Sequence, residues 1–202
     1  IKVFFYDIKL KHYLSNMNHK EKNLMNEKYN KKFFITLVSV TAIGPMAMQL
    51  YIPSVPLITK ELNIPLGIAQ IAFSLSLLSM AISMLIYGPL SDKYGRRKIL
   101  LIGMILFLIG SVIASMSLNI ETLIIGRIIQ SIGGAGGLVI SRAMVRDIYG
   151  PDKAARVLGT LITIFVAAPM ISIIVGGIVT DYMGWRSVFY ISIVLGLFVL
   201  IL

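Results

Sequence analysis

The sequence predicts an all-helical membrane protein that crosses the lipid six times. Three observations carry this: a body nearly empty of charge, six long apolar runs, and basic residues that recur in every second connection. Of the 202 residues, 57% are apolar and 14% charged, where an ordinary soluble domain has about 45–50% and about 25%. The charge is uneven as well. Residues 1–32 hold 11 of the 28 charged side chains, leaving 17 for the remaining 170 residues. The chain has no cysteine, which excludes disulfides, thiolate zinc sites and iron–sulfur clusters. Both histidines, His12 and His19, fall in the polar N-terminal stretch, so a histidine-based catalytic centre in the body is excluded too. No cofactor or metal is expected.

A helix needs about 20 apolar residues to cross roughly 30 Å of hydrocarbon at about 1.5 Å per residue. The runs that supply this are Phe33 to Ile52, Gly67 to Tyr87, Ile99 to Met116, Leu123 to Val145 and Val157 to Val179, with a sixth from Ser187 to Leu202. Turn chemistry separates them: Pro53 and Pro56, Gly88-Pro89, Asn119, Gly150-Pro151, and Gly184. Each run is apolar all round, without the alternation of a membrane barrel strand.

Lys and Arg accumulate in the cytoplasmic connections of membrane proteins. Eight lysines precede the first run, Lys93, Arg96, Arg97 and Lys98 follow the second, and Arg142, Arg146, Lys153 and Arg156 surround the fourth connection. The alternate connections hold Lys60 and Arg186 alone, and Arg127 lies inside a run. Sixteen basic residues against two place the N terminus in the cytoplasm. The same alternation excludes nucleic acid as a partner, because phosphate tracking needs one continuous basic face. The expected organisation is a basic cytoplasmic segment over 1–32 and a six-span transmembrane unit over 33–202, partnered by the lipid bilayer. Met17 and Met25 are candidate starts, since the chain begins with Ile1.

The most specific stretch is Gly88-Pro-Leu-Ser-Asp-Lys-Tyr-Gly-Arg-Arg-Lys98. It reads as a tight link between antiparallel helices: Gly88 and Pro89 end one helix, Gly95 permits a positive φ, and Arg96, Arg97 and Lys98 stay among the headgroups. Asp92 is spaced to reach Arg96. This spacing resembles the signature loop of the major facilitator superfamily, with Gly88, Leu90, Asp92, Gly95, Arg96 and Arg97 all matching. The resemblance implies a cytoplasmic latch, in which Asp92 meets a helix N terminus in the other half of a transporter.

The fourth run carries a second signal, Arg127-Ile-Ile-Gln130-Ser131-Ile-Gly-Gly134. An arginine inside an apolar helix costs several kcal/mol unless it faces protein or water. At 100° per residue Arg127, Gln130, Ser131, Gly134, Ser141 and Arg142 fall within roughly 60° of one line, a polar face of small residues. Close helix packing alone accounts for glycines 133, 134, 136 and 137, but not for Arg127 or Gln130. The stretch resembles the Arg-x-x-Gln-Gly-x-Gly motif of the same superfamily, with Ser131 in place of the first glycine. That implies a cavity-lining Arg127 linked to proton coupling.

Leu50-Tyr-Ile-Pro-Ser-Val-Pro56, Arg142-Ala-Met-Val-Arg-Asp147, Ala168-Pro169 with Gly176-Gly177, and Gly184-Trp-Arg-Ser-Val-Phe189 are similar to the bicyclomycin/chloramphenicol-resistance (Bcr/CflA) group of drug–proton antiporters. The resemblance covers about residues 45–202. It implies the N-terminal half of a two-part fold, exporting small amphipathic drugs or metabolites by alternating access. Gln49, Tyr51, Arg127, Gln130, Ser131 and Gly134 would line the substrate cavity. Pro169, Gly176 and Gly177 would kink the fifth span. Small molecules, protons, and a second half or second copy are the implied partners.

Two positions depart from the pattern. Gln49 stands where the group usually has Asp, and an amide cannot titrate as a proton-coupling acid must. Ser172-Ile173 replaces a second Ala-Pro pair. Proton coupling is then expected to use a group outside this half, which leaves a proton-independent facilitator as the transport alternative. The sixth run stops short of a full crossing, so the second expectation is a non-transporting truncated fragment or a membrane interaction subunit. No acid, base and nucleophile converge at membrane depth, so an enzyme is not expected.

Overall fold

The computed structural model describes the backbone from His19 to Leu202 and the side chains of residues 33–147 and 154–202. Residues 1–18 of the basic segment, and the side chains of residues 1–32 and Lys153, lie outside the described residues. Every described regular element is a helix. Five are long and apolar enough to cross a membrane: span one Phe33–Glu61, span two Leu66–Tyr94, span three Arg96–Ser115, span four Ile120–Asp147 and span five Ala154–Met183. A shorter apolar helix, Ser187–Ile201, forms the sixth. The all-helical, six-run reading of the sequence therefore holds.

The breaks fall differently from the sequence expectation. Pro53 and Pro56 do not end span one. They sit in the first turns of a 3-10 turn, Ile52–Ser54, and a short helix, Val55–Glu61, where a missing N–H costs nothing. Gly88-Pro89 does not end span two either. Pro89 lies inside the helix, removing the partner of one carbonyl only, and the stop comes at Gly95 with φ of 93°. Span four begins where the Asn119 side chain accepts a hydrogen bond from the Thr122 N–H at 2.9 Å, an N-cap. Span five stops at Gly184, with φ of 80°.

Helical backbone runs without interruption from Ile120 to Met183, through the expected break at Gly150-Pro151. A straight helix would separate Arg142 from Phe165 by more than 30 Å at about 1.5 Å per residue. Instead the Arg142 guanidinium lies 5.8 Å from the Phe165 ring centroid. The chain therefore doubles back, and spans four and five are antiparallel limbs.

Span four is the hub. Two thirds of its apolar window is buried within the chain (67%), against 11% for span five and 28% for span two. Consecutive glycines make this possible by letting backbones touch. A Cβ on Gly133 would sit 2.2 Å from the Phe107 amide nitrogen of span three, one on Gly137 2.3 Å from the Val40 carbonyl of span one, and one on Gly136 3.0 Å from the Tyr87 ring of span two. Gly134 meets Gly44 of span one, backbone to backbone. Small residues let van der Waals contact hold helices together where lipid removes the hydrophobic drive. The large apolar side chains left exposed, such as Leu78 and Leu85 on span two and Met170, Ile174 and Ile178 on span five, give those two spans the outer surface a bilayer requires.

Candidate functional site

The glycine contacts press the polar face of span four into the bundle. Arg127 is fully buried. Its Nη1 donates to the Ala47 carbonyl of span one at 3.2 Å and to Gln130 Oε1 at 2.8 Å. The guanidinium also lies 4.5 Å from the Tyr51 ring centroid, a cation–π distance. Gln130 Nε2 donates to Ser111 Oγ of span three at 2.8 Å, and Ser111 Oγ donates to the Phe107 carbonyl at 2.7 Å. Tyr51 completes the tie by donating to the Ala69 carbonyl of span two at 3.2 Å. One arginine thus links four spans. Its Nε and Nη2 have no hydrogen-bond partner among the described residues, and neither does the Ser131 hydroxyl.

Beside this network a groove of about 420 Å³ opens between spans one, two and five. Pro45, Met48 and Gln49 form its floor, Phe73, Met80 and Met84 one wall, and Phe165, Val166 and Pro169 the other. Its volume falls in the range of small-molecule sites. Of the six residues expected around a substrate cavity, Gln49 lines the groove. Tyr51, Arg127, Gln130 and Ser131 do not; they are buried behind it, within the helix contacts. Gly134 faces Gly44, where it serves the packing between spans one and four. Pro169 lines the groove, Gly176 touches the backbone of Leu50, and Gly177 meets little beyond Pro53 at 3.9 Å.

At one end of the bundle Arg96 gathers three partners. Its Nη2 pairs with Asp92 at 2.7 Å, its Nε with Asp147 of span four at 2.9 Å, and its Nη1 donates to Ser91 Oγ at 3.1 Å. The Asp92–Arg96 contact expected from spacing is present. Asp147 as a partner was not legible in the loop itself; the signal was an acid ending span four on the same side as the basic loop. Gly88 has open space where a Cβ would stand, and Arg97 and Lys98 line a second cavity with Gly95 and Tyr94.

The opposite end carries a cluster that sequence reading missed. Glu61 receives hydrogen bonds from Trp185 Nε1 at 2.8 Å and from Arg186 Nη1. Arg186 Nη2 donates to the Ser117 carbonyl at 3.0 Å, and its guanidinium covers the Trp185 ring at 4.2 Å. Trp185 is fully buried and meets Phe189 edge-on. Three connections are joined through one carboxylate. The available signal was the scarcity of charge there, which left Glu61 few partners.

The family model for the Major Facilitator Superfamily matches residues 37–202. The chain belongs to the major facilitator superfamily. It is similar to an uncharacterized MFS-type transporter of Bacillus subtilis, YdgK, at 34% identity over 79% of this chain and 40% of that protein. Multidrug resistance protein D of Escherichia coli is 29% identical over 85% of the chain and 43% of its own length. A bicyclomycin resistance protein homolog of Haemophilus influenzae is 28% identical over 82% and 42%. The chain thus spans about two fifths of the length of the curated relatives it matches. These relatives agree with the resemblance to the Bcr/CflA group and with an N-terminal half of the superfamily fold. A multi-pass membrane protein of a transporter family follows, in contact with lipid and with small-molecule substrates.

Proposed function

We propose that this major facilitator chain forms the N-terminal six-span half, residues 33–202, of an exporter that moves small amphipathic drugs or metabolites by alternating access. The observation that carries the reading is the groove floored by Gln49, apolar on both walls and backed by the rigid Arg127 network. Such a surface suits one half of a site completed by a second half or a second copy. The relatives named for multidrug and bicyclomycin resistance support export as the direction and drugs as the class.

In this reading the Arg127, Gln130, Ser111 and Tyr51 ties keep spans one to four moving as one body while the groove is exposed alternately. Arg96, with Asp92 and Asp147, fastens the cytoplasmic end and is released when that end opens. The N terminus lies in the cytoplasm, as the sixteen-to-two distribution of basic residues supports. Proton coupling runs through a carboxylate outside these spans, because Gln49 does not titrate and Arg127 remains a cation at every working pH. The chemistry is transport and not catalysis.

The test is accumulation of a panel of drugs in cells with and without the complete gene. Lower accumulation of several amphipathic drugs in the presence of the gene is the expected result. Equal accumulation across the panel, with the protein shown to be in the membrane, refutes export.

A further inference from the structure

Resting on that transport reading, we propose that the groove selects uncharged amphiphiles bearing an amide or hydroxyl, and that Gln49 is the residue that selects them. Gln49 is the one groove-lining residue with a polar side chain. Its carbonyl oxygen is buried without a hydrogen-bond partner, and no contact among the described residues satisfies the amide. A buried acceptor left unpaired is costly, and a ligand that supplies an N–H or O–H removes the cost. A ligand of the same shape without the donor leaves it in place, which is how a polar pocket group discriminates far more sharply than an apolar wall.

The rest of the lining explains why the ligand carries no net charge. Met48, Met80 and Met84 with Phe73 and Phe165 offer polarizable, adaptable surface that follows many shapes but solvates no ion. An ion entering would lose its water without a counter-charge. A cation fares worst, because the charges nearest the groove are both positive. Arg142 stacks on the lining Phe165, and Arg127 is bonded to the carbonyl of Ala47, next to the lining Met48. Neither guanidinium lines the groove, so an anion gains no ion pair inside it. Shape is read loosely and one hydrogen bond is read strictly.

Four probes of one skeleton separate these effects: 4-phenylphenol, its methyl ether, a biphenyl trimethylammonium and biphenyl-4-carboxylate. Saturable binding of each is measured on the protein as its gene encodes it, in nanodiscs, above that of empty nanodiscs. The phenol is expected to bind at least tenfold more tightly than the methyl ether, with both ions weaker than either. Gln49→Leu should erase the phenol's advantage while leaving methyl ether binding intact, which also shows that the variant is folded. Gln49→Glu should raise affinity for the ammonium. An ammonium that binds wild type as tightly as the phenol overturns the proposal. So does a tenfold ratio surviving in Gln49→Leu, or no saturable binding by any probe. Drug export by a protein that shows no such preference would refute selection by Gln49 and leave the transport reading standing, whereas loss of export in the cell assay strikes the transport reading itself.

Discussion

Replacing Gly133 with alanine tests whether backbone contact at span four holds the bundle together. The added methyl would lie 2.2 Å from the Phe107 nitrogen, 2.4 Å from the Gly103 carbonyl oxygen and 2.7 Å from the Phe107 Cα. All three are backbone atoms of span three, so no side chain can rotate away. Ordinary contact needs about 3.5 Å, and spans three and four must separate by more than an ångström or twist apart. Overpacking of this kind costs about 1–3 kcal/mol. The same change gains up to about 1 kcal/mol of helix propensity. A net loss of about 2 kcal/mol is expected, roughly a 30-fold drop in the folded ratio. Gly159→Ala is the matched control. It sits in a helix with nothing within 4 Å of the new methyl, so only the propensity gain remains and stability should rise by a few tenths to about 1 kcal/mol. Titration of the purified protein with a denaturing detergent, followed by circular dichroism, reads both. Equal midpoints for the two variants would refute the packing account.

Arg127→Ala, in the complete gene, should reduce drug export to background, with cellular accumulation as the readout. Arg127→Lys should recover only part of it, since an ammonium lacks the planar fork that meets Ala47, Gln130 and the Tyr51 face together. Arg96→Ala leaves Asp92 and Asp147 facing each other unpaired, and efflux rates should fall several-fold while the amount of protein in the membrane is unchanged. Glu61→Ala removes the acceptor shared by Trp185 and Arg186. Because the Glu61–Arg186 pair is partly exposed, the expected loss is about 1 kcal/mol, seen as a lower denaturation midpoint together with a shift in Trp185 fluorescence, the chain's single tryptophan.

How much of this was legible in the sequence varies with the physics behind each feature. Composition and run length were enough for six apolar helices, because a bilayer admits few other solutions for long uncharged segments. The loop from Gly88 to Lys98 was readable as local chemistry: Asp92 and Arg96 are four residues apart, and one helical turn brings them together. Proline was a poor guide to helix ends here. Its effect depends on whether a preceding carbonyl needs the lost N–H, and at Pro53 and Pro56 none does.

The periodicity of span four identified its polar face correctly but left its surroundings open. Arg127 and Gln130 pointed to protein, as an intramembrane charge must; which protein atoms they met depended on glycines in one helix finding backbone in three others. The groove depended on the same packing, since Met48, Phe73 and Phe165 are remote in sequence and only the doubling back of spans four and five brings them around Gln49. Sequence determined that this chain must bury its backbone polarity in helices and keep its basic residues to alternate ends, because both are costs each segment meets in lipid on its own. Tertiary structure alone decided which buried polar groups found partners and which, like the Gln49 amide, were left facing a cavity, because hydrogen bonding depends on distances between helices that no single segment fixes.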